Sequence, residues 1–89
     1  MHIEGKPARE VYTSLDWMSA YFEADGQLFL LSVWNVSAAH YEVLLRLTPE
    51  EAARCREGGA AYMTTFARAA INNARLLDRR VRDYALPPG

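Results

Sequence analysis

The chain has 89 residues, 51% of them hydrophobic and 24% charged, with a formal net charge of −1. That is the size of one domain with a single thin core, and the near-neutral balance excludes a global field that would gather nucleic acid, anionic lipid or a strongly charged substrate. A single cysteine, Cys55, excludes an intrachain disulfide and suits a reducing compartment.

The chain opens without a basic-apolar-small leader pattern, and no apolar run approaches the ~20 residues that span a bilayer, so the expected location is cytoplasmic, away from membranes. Residues 1–7 read as a loose tail. Residues 8–16 support two readings. Val11 and Leu15 stand four apart and continue into Met18 and Phe22 as a helical stripe, whereas from Trp17 to Ala24 the alternation of a strand is equally good. The reading adopted is a short helix or turn over 8–14, then a strand over 17–24.

Asp25-Gly26 follows, between two apolar-rich runs. This dipeptide signals a two-residue hairpin turn, because both central residues need positive φ. Such a turn fixes register: Phe22 opposite Phe29, Tyr21 opposite Leu30, Ala20 opposite Leu31, Met18 opposite Val33 and Trp17 opposite Trp34. The second strand runs from Gln27 to about Val36 and the third from His40 to Leu47. A three-residue link, Ser37-Ala38-Ala39, sets Phe29 opposite Leu47, Leu31 opposite Leu45 and Val33 opposite Val43. One face then gathers Phe22, Phe29, Leu31, Val33, Val43 and Leu45, and the other Trp17, Tyr21, Leu30, Trp34, Glu42, Leu44 and Arg46.

Thr48-Pro49-Glu50-Glu51 is a helix start: a threonine cap, proline at the first helical position and a glutamate completing a capping box. Gly58-Gly59 bends or breaks that helix after about Glu57. A long helix is expected from Ala60 to about Tyr84, with a stripe of Met63, Phe66, Ala70, Asn73/Ala74, Leu77, Val81 and Tyr84. Its length, ~37 Å at 1.5 Å per residue, would overhang the sheet. Residues 85–89, ending Pro87-Pro88-Gly89, read as a tail. The expected fold is α+β: one domain over 1–89, a three-stranded antiparallel meander packed on one face by a short helix and a long C-terminal helix.

Function is read from surfaces. The face carrying Trp17, Tyr21, Leu30 and Trp34, rimmed by Glu42, Leu44 and Arg46, exceeds the apolar patch a monomer normally exposes. It is covered either by residues 1–16, through Ile3, Val11, Tyr12 and Leu15, or by a protein partner. Trp, Tyr and Arg are the usual anchors of such contacts. From Ala67 onward five arginines face two aspartates, a net +3 that leaves −4 on the rest. Arg75, Arg79 and Arg82 would share a helix face, with Leu76 and Tyr84 beside them, as a secondary interface. The ordinary reading of that face is solvated intrahelical pairing, Arg75 with Asp78 and Arg79 with Asp83.

His40 and Cys55 are placed too far apart for a thiol–imidazole pair, and Cys55 reads as a small packing residue. Carboxylates are dispersed, the histidines and cysteine form no metal motif, and Gly58-Gly59 lacks the flanking residues of a phosphate loop. The expectation is a non-enzymatic domain without metal or cofactor. It is a protein-binding module acting by occlusion, of the kind that neutralises a toxin as an immunity protein, and self-associating as a homodimer. The alternative is a nucleic-acid-associated regulator using the arginine-rich C-terminal helix.

Overall fold

The Asp25-Gly26 turn forms as its composition demands: φ is 52° at Asp25 and 75° at Gly26. This is a computed structural model that describes residues 1–14, 19–36 and 39–85, with backbone alone at 35, 36, 39–41 and 74. The turn joins β4 (Ser19–Ala24) to β5 (Gln27–Val36), and the pairs Phe22 with Phe29, Tyr21 with Leu30 and Ala20 with Leu31 are those expected. The expected pairs of Trp17 and Met18 lie outside the described residues.

The next register differs from expectation by one residue. In β6 (Ala39–Arg46), Val36 pairs with Ala39, so Leu30 faces Leu45, Leu31 faces Leu44 and Phe29 faces Arg46. The link is one residue shorter than expected. Because side chains alternate, this slip keeps Val43, Leu45 and Leu47 beneath the helix but exchanges the faces of β4 and β5. Both faces of β5 are apolar, so its own pattern did not oppose the exchange.

The segment expected as a helix or turn over 8–14 is a strand. β3 (Arg9–Ser14) pairs antiparallel with β4. Between Glu10, opposite Phe22, and Tyr12, opposite Tyr21, Val11 is an extra residue. This bulge breaks the two-residue period and leaves a spacing that mimics a helical stripe.

The capping box at Thr48 forms, with Glu51 N donating to Thr48 Oγ1 at 3.2 Å and Thr48 N to Glu51 Oε1 at 2.9 Å. It starts α1 (Pro49–Ala70), which is broken at Gly59 (φ 64°, ψ −152°), as the glycine pair suggested. The helix does not reach Tyr84. It ends at Ala70, and Asn73 caps a short 3-10 helix (Ala74–Arg79) by accepting from Arg75 N at 3.2 Å. Asparagine competes with helix interiors and favours caps, which gives the chain its stop. The chain then lies down as β7 (Arg80–Val81) beside Leu44 and Leu45, and as β8 (Tyr84–Ala85). The segment expected to overhang the sheet as the end of a long helix is instead this 3-10 helix and these two strands.

The first residues are not a loose tail either. β1 (His2–Ile3) and β2 (Lys6–Pro7) form a hairpin around Glu4-Gly5, both at positive φ, and β8 pairs with β1. The expected meander is therefore the centre of a five-stranded antiparallel sheet ordered β3-β4-β5-β6-β7, with a three-stranded sheet ordered β2-β1-β8 beside it. The class is α+β.

Two cores result, one on each face of the large sheet. On the inner face, Tyr21, Leu28, Leu30, Trp34, Val43 and Leu45 meet Ala52, Cys55, Met63, Ala67 and Ala70 of α1. On the outer face, Ile3 of the hairpin is buried with Ala24, Phe29, Leu44 and Val81. The order of layers is helix, large sheet, small sheet.

Candidate functional site

The residues expected to form one exposed patch are divided between the two faces. Tyr21, Leu30 and Trp34 are 1%, 0% and 5% exposed beneath the helix. Glu42, Leu44 and Arg46 lie on the outer face, where Leu44 is buried. Trp17 lies outside the described residues. The inner polar groups are satisfied internally. Tyr21 donates its hydroxyl to the Met63 carbonyl at 2.8 Å, and Trp34 Nε1 donates to Ser32 Oγ at 2.8 Å. Burial, reinforced by the neighbouring Cys55 thiol, raises the Tyr21 phenol above its usual range, and burial likewise raises Cys55. The aromatic groups of this face therefore serve the core.

The secondary arginine group is dispersed as well. Arg79 turns onto Glu51 at the helix start, with Nη1–Oε1 at 2.5 Å and Nη2–Oε2 at 3.2 Å, rather than onto Asp83. Leu76 packs against the inner core, Arg75 is exposed on the 3-10 helix, and Arg82 follows β7. Helix termination at Ala70 separates them.

Among the described residues, the outer face is covered over only part of its area. Ile3, with Met1 and Ala8 at the margin, seals the end near the Asp25-Gly26 turn. Beyond it, Ala20, Leu31 and Val33 remain half-buried and floor an open concavity of about 380 Å³ with Thr13 and Glu42 at its walls. Strand alternation places these side chains together, since Thr13 pairs with Ala20, Ala20 with Leu31, and Val33 with Glu42. At the adjoining strand, Val11 is 42% exposed at the bulge.

Glu42 also borders a second, wider basin of about 440 Å³ with Arg80, Arg82 and Tyr84. Tyr84 donates its hydroxyl to Glu42 Oε1 at 2.7 Å. Burial, then that bond, pushes the Tyr84 phenol up to about 12. Arg80 Nη2 donates to the Glu42 carbonyl at 3.0 Å, while its Nε is buried without a partner.

The outer face can supply apolar contact, a sheet edge and a small number of charges. Among the described residues, no group of three or more histidine, cysteine, aspartate or glutamate side chains is placed to hold a metal ion. Among the described residues, no helix is long and apolar enough to cross a membrane. The outer site was not legible as such, because the one-residue slip assigned Leu31 and Val33 to the covered face. The alternation of Glu42-Val43-Leu44-Leu45-Arg46 identifies the outer face of β6, but with both faces of β5 apolar it carries no signal for the register that brings Leu31 and Val33 to the same face. In comparisons with known proteins, no family model matches the chain, and neither does a curated protein or a solved structure.

Proposed function

We propose that the protein is a non-catalytic protein-binding module that acts by occlusion, with the uncovered part of its outer sheet face as the contact surface. One observation carries this reading. Ala20, Leu31 and Val33 form a half-buried apolar floor in the middle of a folded sheet, with Leu31 packed at the margin of the Ile3 cluster and the concavity above them open among the described residues. Apolar surface held in a concave, strand-built frame gains free energy when a complementary surface removes it from water. The rim is polar, Thr13 on one side and Glu42 on the other, as expected of a protein contact with an apolar centre.

A photo-crosslinking amino acid at Leu31, in cells of the source organism, tests this. A discrete protein adduct should form there, and a Val33→Lys change in the same chain should abolish it without lowering the melting temperature. The same crosslinker at Arg54, exposed on the helix, should give no such adduct. Equal adducts from both positions, or none from Leu31, would sink the proposal.

A further inference from the structure

We infer that the partner adds an extended segment to the free edge of β6, and that this segment carries an acidic side chain received by Arg80 and Arg82. The inference rests on the protein-binding reading above, and specifies the partner's form. β7 pairs only with Leu44 and Leu45. Among the described residues, no strand lies beside β6 from Ala39 to Val43 on that edge. Unpaired main-chain donors and acceptors on a sheet edge are a template for another strand.

The Glu42 carbonyl marks the vacancy. It accepts from a side chain, Arg80 Nη2, where a neighbouring strand would present an N–H. Arg80 thus acts as a placeholder, and an incompletely satisfied one, since its Nε is buried without a partner. An incoming strand offers an exchange. Its N–H takes the Glu42 carbonyl, and its carboxylate takes the released guanidinium in a charge-assisted bond, stronger than a neutral one. Arg82, exposed just past β7, adds a second cation to the same basin.

Two acidic groups stand nearby. The Glu42 carboxylate already accepts from Tyr84, and Asp83 lies in the link to β8, where its carbonyl accepts from Glu4 N. Glu42 stands between this basin and the apolar floor, bordering both. Alternate side chains of an added strand would therefore reach the outer face.

The test is a random dodecamer library selected on the purified full chain, with the best peptide measured by fluorescence anisotropy. Enriched peptides should alternate apolar residues and carry Asp or Glu. N-methylation should weaken binding about ten-fold at alternate peptide residues and leave the intervening ones unchanged, since only one set of N–H groups faces β6. Arg82→Gln should weaken binding about three-fold and flatten its salt dependence, with the melting temperature unchanged. Arg80→Gln should remove the preference for an acidic residue.

No enriched peptide, no two-residue period, or no response to either arginine change overturns the inference. So does a β6-to-β6 dimer in sedimentation that excludes the peptide, because the occupant is then a second copy. If the Leu31 adduct forms while the peptide shows no two-residue period, the binding surface stands and the strand addition falls. If the period appears but Leu31 gives no adduct, the outer-face reading fails and the edge remains.

Discussion

Gly59 shows how one residue sets the course of the helix. Its backbone, at φ 64° and ψ −152°, is in a region open in practice only to glycine. A Cβ at neighbouring Gly58 would run into the Cβ of Tyr62, so both glycines are required for different reasons, one for torsion and one for space. Gly59→Ala should cost about 1–3 kcal/mol in urea denaturation, the usual penalty for such a conformation. An unchanged midpoint would mean that the helix straightens through this point. Tyr84 offers a spectroscopic counterpart. With its phenol pushed up to about 12, the folded state holds that proton more tightly than the unfolded chain does. The associated stabilisation is complete below the ordinary value of 10.0 and is lost as pH rises toward 12. Absorbance titration should show one late-ionising tyrosine on this part of the sheet, and Glu42→Gln should bring its transition earlier. A transition at the ordinary value in the parent protein would contradict the Tyr84–Glu42 bond.

Elements in this chain are joined by charges placed at their ends. Burial works against ionisation of Glu51, but hydrogen bonds from Arg79 and Thr48 outweigh it, and the carboxyl lies below its ordinary value of 4.5. A depressed folded value means stabilisation that is present above 4.5 and lost as pH falls through the folded value. Arg79→Ala should therefore reduce stability at neutral pH and make the acid limb shallower, measured by urea midpoints at successive pH values. Parallel acid limbs in parent and variant would show that the Glu51–Arg79 pair is not the sensor. Such pairs also mark how far elements could be read from sequence. The Thr48-Pro49-Glu50-Glu51 start and the Asp25-Gly26 turn were legible because each depends on neighbouring residues alone. The β3 strand was not, because the Val11 bulge breaks the period on which the reading relied. The end of the helix was misplaced because alanines, leucines and arginines on both sides of Asn72-Asn73 all favour helix. The candidate surface inherits the register error: its Glu42 and Arg46 were placed on the right face, but with the aromatic residues of the other.

The described chain closes through its first and last strands. β1 lies between β2 and β8, so the start and finish of the described chain share one small sheet over the outer face. Ile3, 1% exposed, is the plug of that layer, in one cluster with Phe29 and Leu44. Lys6 with Asp25 and Arg46 with Glu4 pin the hairpin to the large sheet, and the Arg46 guanidinium lies 5.3 Å from the centre of the Phe29 ring. These exposed ion pairs contribute little by themselves, so the buried isoleucine should dominate. Ile3→Ala should cost about 2–5 kcal/mol, the range for emptying a filled aliphatic site. Lys6→Ala should cost about 1 kcal/mol or less. Because this layer covers the part of the outer face that holds Phe29 and Leu44, loss of the plug should extend the apolar floor toward them. Binding of a hydrophobic dye should then rise in Ile3→Ala under conditions where circular dichroism still reports a folded sheet. A variant that loses stability without gaining dye binding would show that the hairpin is bound to the fold as a unit. In that case the boundary between the covered and open parts of the face is not set by Ile3.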